Sequence, residues 1–119
     1  MKTVKVTTDN KVSVIDVNFD DFRSIQQAIG GHFETVRTQL MVDYFKDPSV
    51  IMLVDEEGLV KELPYNAVGS ALYGTPQHGC PIVGDLIFAR VDGEDIVAPD
   101  DSEALKDRLL HTFIGLSEV

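Results

Sequence analysis

The segment Ser49-Val50-Ile51-Met52-Leu53-Val54 is apolar without a break from its second residue onward. A strand with one wet face alternates apolar and polar side chains, so an unbroken apolar run marks a strand covered on both faces. The acidic turn Asp55-Glu56-Glu57-Gly58 ends the run, and Leu59-Val60-Lys61-Glu62-Leu63 reads as its returning hairpin partner. A chain of 119 residues is long enough to bury such a core without covalent staples. Cys80 is its one cysteine, so no intramolecular disulfide can form.

The N-terminal stretch reads as a β-hairpin. Val4 and Val6 alternate with Lys5 and Thr7, Asp9-Asn10 is a turn signal, and Val12, Val14, Ile15 and Val17 follow. The alternation slips between Val14 and Ile15, which predicts either a bulge or burial on both sides. Asp20 or Asp21 caps a helix in which Phe22, Ile25, Ala28 and Ile29 share the inward face, and Gly30-Gly31 ends it. His32 to Arg37 fits a strand. Thr38 to Pro48 matches neither the helical nor the strand period.

Beyond Pro64, Asn66 is placed to cap a short helix from Ala67 to Tyr73, and Gly74 to Pro81 reads as a loop. Ile82 to Val91 is a strand, Asp92-Gly93 a hairpin turn, and Asp95 to Ala98 the return. Asp101 or Ser102 caps a last helix whose Leu105, Leu109, Leu110 and Phe113 face inward. Few of these strands have the helical crossovers of a parallel sheet. The expected class is therefore α+β: a mixed or mostly antiparallel sheet with a ββα start, a short inserted helix, a hairpin and a C-terminal helix. One domain spans 1–119, with its core at about 2–98 and the terminal helix at about 101–114.

The net charge of -10 is unevenly placed. Residues 1–40 carry five acids and five bases, whereas from residue 41 onward fifteen acids face five bases. Such a field repels nucleic-acid phosphates and attracts basic partners, so direct nucleic-acid binding is not expected. No apolar run is long enough to span a bilayer, and the first residues lack the apolar core of a signal peptide. With a single cysteine, these features make the cytoplasm the expected location.

Four residues make the candidate ligand site: Tyr65, Asn66, His78 and Cys80, which bracket the short helix and the loop after it. Asn66 also has a purely structural role available, as the N-cap. His78-x-Cys80 offers two metal-ligand types, with His32 and His111 elsewhere, but a structural zinc site needs four ligands in close pairs, and no metal or cofactor is expected. The acidic turns at 55–57 and 92–95 lack the alternating oxygen ligands of a calcium loop. A nucleophile elbow and a phosphate loop are both absent, and no catalytic set is assigned.

Ile29-Gly30-Gly31-His32-Phe33-Glu34-Thr35-Val36, Val54-Asp55-Glu56-Glu57-Gly58, Leu63-Pro64-Tyr65-Asn66-Ala67-Val68 and Ile82-Val83-Gly84-Asp85-Leu86-Ile87 occur in that order. Their order and spacing resemble domain-of-unknown-function family 3846, small proteins of phages, plasmids and their prokaryotic hosts, over roughly Val4 to Asp95. The resemblance implies an accessory protein of a mobile element or its host and brings no established activity. The expected function is a non-enzymatic binding or regulatory module. Its partner would be a basic host protein or a second copy of the chain. The alternative is a small-molecule-binding domain, a sponge or minor enzyme, with its pocket near Tyr65-Asn66 and His78-Cys80.

Overall fold

The computed structural model describes all 119 residues. In chain order the elements are β1 (Lys2–Val6), β2 (Lys11–Asp16), α1 (Phe22–Ile29), β3 (Phe33–Val36), α2 (Gln39–Phe45), β4 (Val50–Asp55), α3 (Ala67–Tyr73), α4 (Thr75–His78), β5 (Leu86–Asp92), β6 (Asp95–Val97), α5 (Ser102–Thr112) and β7 (Ser117–Glu118). The strands form one seven-stranded sheet in the order β3-β4-β5-β1-β2-β7, with β6 also paired to β5. Every pairing is antiparallel except β2 with β7. This is an α+β fold.

The unbroken apolar run is the key to the layering. Along β4, Met52 and Val54 point into a core closed by Met41, Val68, Leu72 and Leu109 from α2, α3 and α5. Ile51 and Leu53 point the other way, into a second core closed by Ile25 and Ile29 of α1. β5 repeats the division, with Leu86 and Phe88 on the first side and Ile87 and Ala89 on the second. Period-two alternation within an all-apolar strand thus feeds two cores at once. Burying a large side chain such as Phe88 contributes roughly 1.5–3 kcal/mol.

β2 resolves its slip in the same way. Its pairing with β1 runs unbroken from Lys2↔Asp16 to Val6↔Val12, with no bulge. Val14 packs on the first core and Ile15 on the second. The helix ends follow the capping residues. The Asp21 side chain accepts from the Arg23 N–H, and Gly30 ends α1 in the left-handed region at φ 92°. Thr38 caps α2, which occupies the stretch that lacked a clear period, and Asp101 caps α5.

Several expectations need correction. Leu59 to Leu63 is not a strand. Asp55 accepts from the Glu57 N–H, and Lys61, Glu62 and Leu63 donate back to Glu57, Leu59 and Gly58, which winds this segment into successive turns. Leu59 and Val60 are consequently exposed, and β4 pairs instead with β3 and β5. Phe22 is 63% exposed at the first position of α1, with its ring edge-on to Phe33. α4 interrupts the expected loop at 74–81. β5 begins only at Leu86, because Gly84, at φ 81°, turns the chain just before it. The short strand β7 has no counterpart in the sequence pattern, and Leu116, just before it, joins the first core. No helix is long and apolar enough to cross a membrane.

Candidate functional site

Asn66 is fully buried. Its Oδ1 accepts from the Gly69 N–H at 2.9 Å, which caps α3. Its Nδ2 donates to the Val6 carbonyl at 3.2 Å and to the Gly84 carbonyl at 3.0 Å. The side chain therefore pins three segments together: the start of α3, the end of β1 and the turn before β5. Close by, the Ser70 hydroxyl donates to the Ile82 carbonyl at 3.2 Å and accepts from the Ile82 N–H at 2.9 Å, an arrangement that stands in for sheet pairing. Gly69 leaves room for this contact, since a β-carbon there would come within 2.5 Å of Leu86.

The other three candidate residues are exposed. Tyr65 bridges to Val83 through its backbone and is 55% exposed. His78 ends α4 with its ring centroid 4.8 Å from that of Tyr73. Cys80 is a free, exposed thiol whose carbonyl accepts from the Thr75 hydroxyl at 3.0 Å. The remaining histidines have local partners: His32 Nδ1 is 3.4 Å from Gln26 Nε2, and His111 Nδ1 is 2.9 Å from the Asp107 carbonyl. No three His, Cys, Asp or Glu side chains are grouped as metal ligands.

Of the four candidates, only Cys80 lines a cleft of about 160 Å³ between β3 and the turns that follow β4. Its floor is apolar, with Val36, Val54 and Ile82, and Tyr73 and Leu59 form its sides. The exposed carboxylates at its rim are those of Glu34 and Glu56, and no lysine or arginine lines it. Neither Glu34 nor Glu56 takes part in an ion pair. The alternation of β3 had a signal for this, because Glu34 shares a strand face with Val36. Tyr73 and Leu59 gave none, since the turns that present Leu59 read as a strand.

Asp55 anchors the turns that border the cleft. Its side chain is 1% exposed, and its Oδ2 receives the Lys61 ammonium at 2.8 Å while its Oδ1 receives the Glu57 N–H at 2.8 Å. Burial pushes its carboxyl up, but the Lys61 ammonium and the Glu57 N–H outweigh burial and hold it below the usual carboxylate range. The Asp55 carboxylate in turn raises Lys61. Both ends of the 56–61 segment are thus tied to one buried anion.

A family model described as Domain of unknown function (DUF3846) matches residues 1–111. No curated protein and no solved structure matches the chain.

Proposed function

The chain belongs to the DUF3846 family, a domain of unknown function, and from that premise we propose that it is a non-enzymatic binding module whose cleft receives a basic side chain of a partner protein. The observation that carries this reading is the cleft rim, where Glu34 and Glu56 have no cationic partner of their own above an apolar floor. An apolar slot edged by carboxylates suits the methylene stem and cationic head of a lysine or arginine. The acidic balance beyond residue 40 adds long-range attraction for the same class of partner. In this reading the protein is a cytoplasmic accessory factor of a phage, plasmid or prokaryotic host, and it does not bind nucleic acid directly.

A small-molecule site at Tyr65, Asn66, His78 and Cys80 draws less support. Both kinds of hydrogen-bonding group on Asn66 are already engaged, and the cleft beside Cys80, at about 160 Å³, is smaller than the roughly 300–1,000 Å³ of metabolite pockets. It has the size of a side chain.

The test is a titration of the isotope-labelled protein with oligolysine and oligoglutamate peptides, followed by NMR. Oligolysine should shift the resonances of Glu34, Glu56 and Tyr73 saturably, with the effect fading as salt is raised. The paired variant Glu34→Gln/Glu56→Gln should abolish it. Equal shifts from both peptides, or shifts confined to the acidic turn at 92–95, would overturn the reading.

A further inference from the structure

β3 ends the sheet, paired with β4 on one side and with nothing on the other. The His32 carbonyl accepts from the Glu56 N–H at 3.0 Å, which makes His32 and Glu56 a hydrogen-bonded pair. Bonded and non-bonded pairs alternate along an antiparallel ladder. With the register Phe33↔Asp55, Glu34↔Val54, Thr35↔Leu53 and Val36↔Met52, the backbone groups of Glu34 and Val36 are turned toward β4. Those of Phe33 and Thr35 are turned outward, two donors and two acceptors along an open edge.

The two faces beside this edge differ. Glu34 and Val36 line the acidic cleft on one face. On the other, Phe33 meets the exposed Phe22 ring edge-on, with centroids 5.7 Å apart. A strand laid against β3 would send alternate side chains to the two faces. One set would reach the carboxylates of Glu34 and Glu56, and the other would cover the Phe22–Phe33 pair.

We propose that β3 is a docking edge that takes an extended segment of a partner protein, alternating basic and apolar residues, as an added antiparallel strand. The proposal rests on the cleft reading above and adds the backbone as the source of register. A second copy of this chain fits the edge poorly. Pairing of β3 with its own copy about Glu34 puts Glu34 opposite Glu34, and pairing about Thr35 puts the two Glu34 side chains on diagonal positions of the same face, so in either register like charges disfavour the strand pair.

The probe is a short peptide of alternating lysine and valine, acetylated and amidated at its ends and titrated into the full chain by fluorescence anisotropy. It should bind saturably and slow amide hydrogen exchange at Phe33 and Thr35. Thr35→Pro removes an outward N–H without touching the ladder to β4, and should weaken binding about tenfold, the order of one lost interfacial hydrogen bond. Methylating only those peptide amides that face β3 should have the same effect, and this arm decides if the proline variant fails to fold. Loss of binding in Glu34→Lys, with no effect of Thr35→Pro or of amide methylation, would overturn strand addition and leave the cleft reading intact. No binding, or binding indifferent to Glu34→Lys, would overturn both.

Discussion

A β-carbon on Gly31 would stand 2.6 Å from Asp55 Oδ2, so the missing side chain at Gly31 is what lets the buried carboxylate keep its place at the end of β4. The same β-carbon would come within 2.5 Å of Lys61 Nζ. Gly31→Ala therefore forces a shift. The lysine head is the freer group to move, and its departure leaves Asp55 short of its cation. The expected cost is about 1–2 kcal/mol in urea unfolding. In a Lys61→Ala background the penalty should shrink, because the displaced partner is already gone. Equal penalties in the two backgrounds would rule the mechanism out. Gly30→Ala should also destabilise, through its φ of 92° rather than through crowding, since nothing lies within 4 Å of that position.

The state of Asp55 sets an acid limit. Burial raises its carboxyl, but Lys61 and the Glu57 N–H more than offset this, so its folded value is depressed. A depressed acid contributes stability above its unfolded value of about 4, and loses it as pH falls through the folded value. Lys61 is raised instead, so its share is present below its unfolded value of about 10.4 and is lost only as pH climbs through the folded value. Urea midpoints should hold from neutral pH to about pH 5 and drop below about pH 4. Asp16, held down by the N-terminal ammonium and Lys2, and Asp47, held down by Ser49, contribute to the same decline. Asp55→Asn should be about 2 kcal/mol less stable at neutral pH, less than for a fully buried pair because Lys61 is 38% exposed, and should show a shallower acid decline. An unchanged slope would count against Asp55 as the titrating group.

Asn66 distinguishes a cap from a clamp. If capping α3 were its whole role, Asn66→Asp would be nearly neutral, because aspartate caps as well as asparagine. The Val6 and Gly84 carbonyls, however, both receive its amide hydrogens. A carboxylate there turns two donors into acceptors facing acceptors in a buried site. Asn66→Asp should therefore cost at least as much as Asn66→Ala, each about 2–4 kcal/mol at neutral pH. Chemical denaturation of the two variants decides, and a near-neutral aspartate variant would eliminate the clamp.

The sequence carried the fold where short-range chemistry decides it. Asp21, Asn66 and Asp101 each cap a helix, and the run ending at Val54 does divide its side chains between two cores. It failed where a distant partner decides. Leu59 to Leu63 has the composition of a strand, but Asp55 captures Lys61 and curls the segment away from the sheet. In the sequence the glycine pair at the end of α1 looks like one turn signal. Gly30 serves the backbone at φ 92°, whereas Gly31 serves a contact with a residue 24 positions away. Cleft residues were legible only in part for the same reason. Cys80 was visible by its chemistry, while Glu34 and Tyr73 become neighbours only after β3 and α3 have docked.

Lys106 tests whether β7 is held by charge or by packing. It sits at the inner side of α5, only 8% exposed, and its ammonium reaches Glu103 and Glu118 at 2.8 Å each. Those hydrogen bonds raise it above the ordinary lysine range. A raised lysine gives its stabilisation below its unfolded value of about 10.4, so the tether should persist throughout the neutral and mildly alkaline range. Glu118 lies in β7, whose two residues pair with β2, and the Val119 N–H donates to the Val12 carbonyl at 3.0 Å. So short a strand has little ladder of its own and depends on side chains. Lys106→Met keeps the buried stem and drops the charge, and Lys106→Ala drops both. If the ion pairs hold the strand, both variants should speed amide exchange at Val119 about tenfold, with no change in β4. If packing of the stem holds it, only the alanine variant will do so, and added salt will leave the parent rate unchanged.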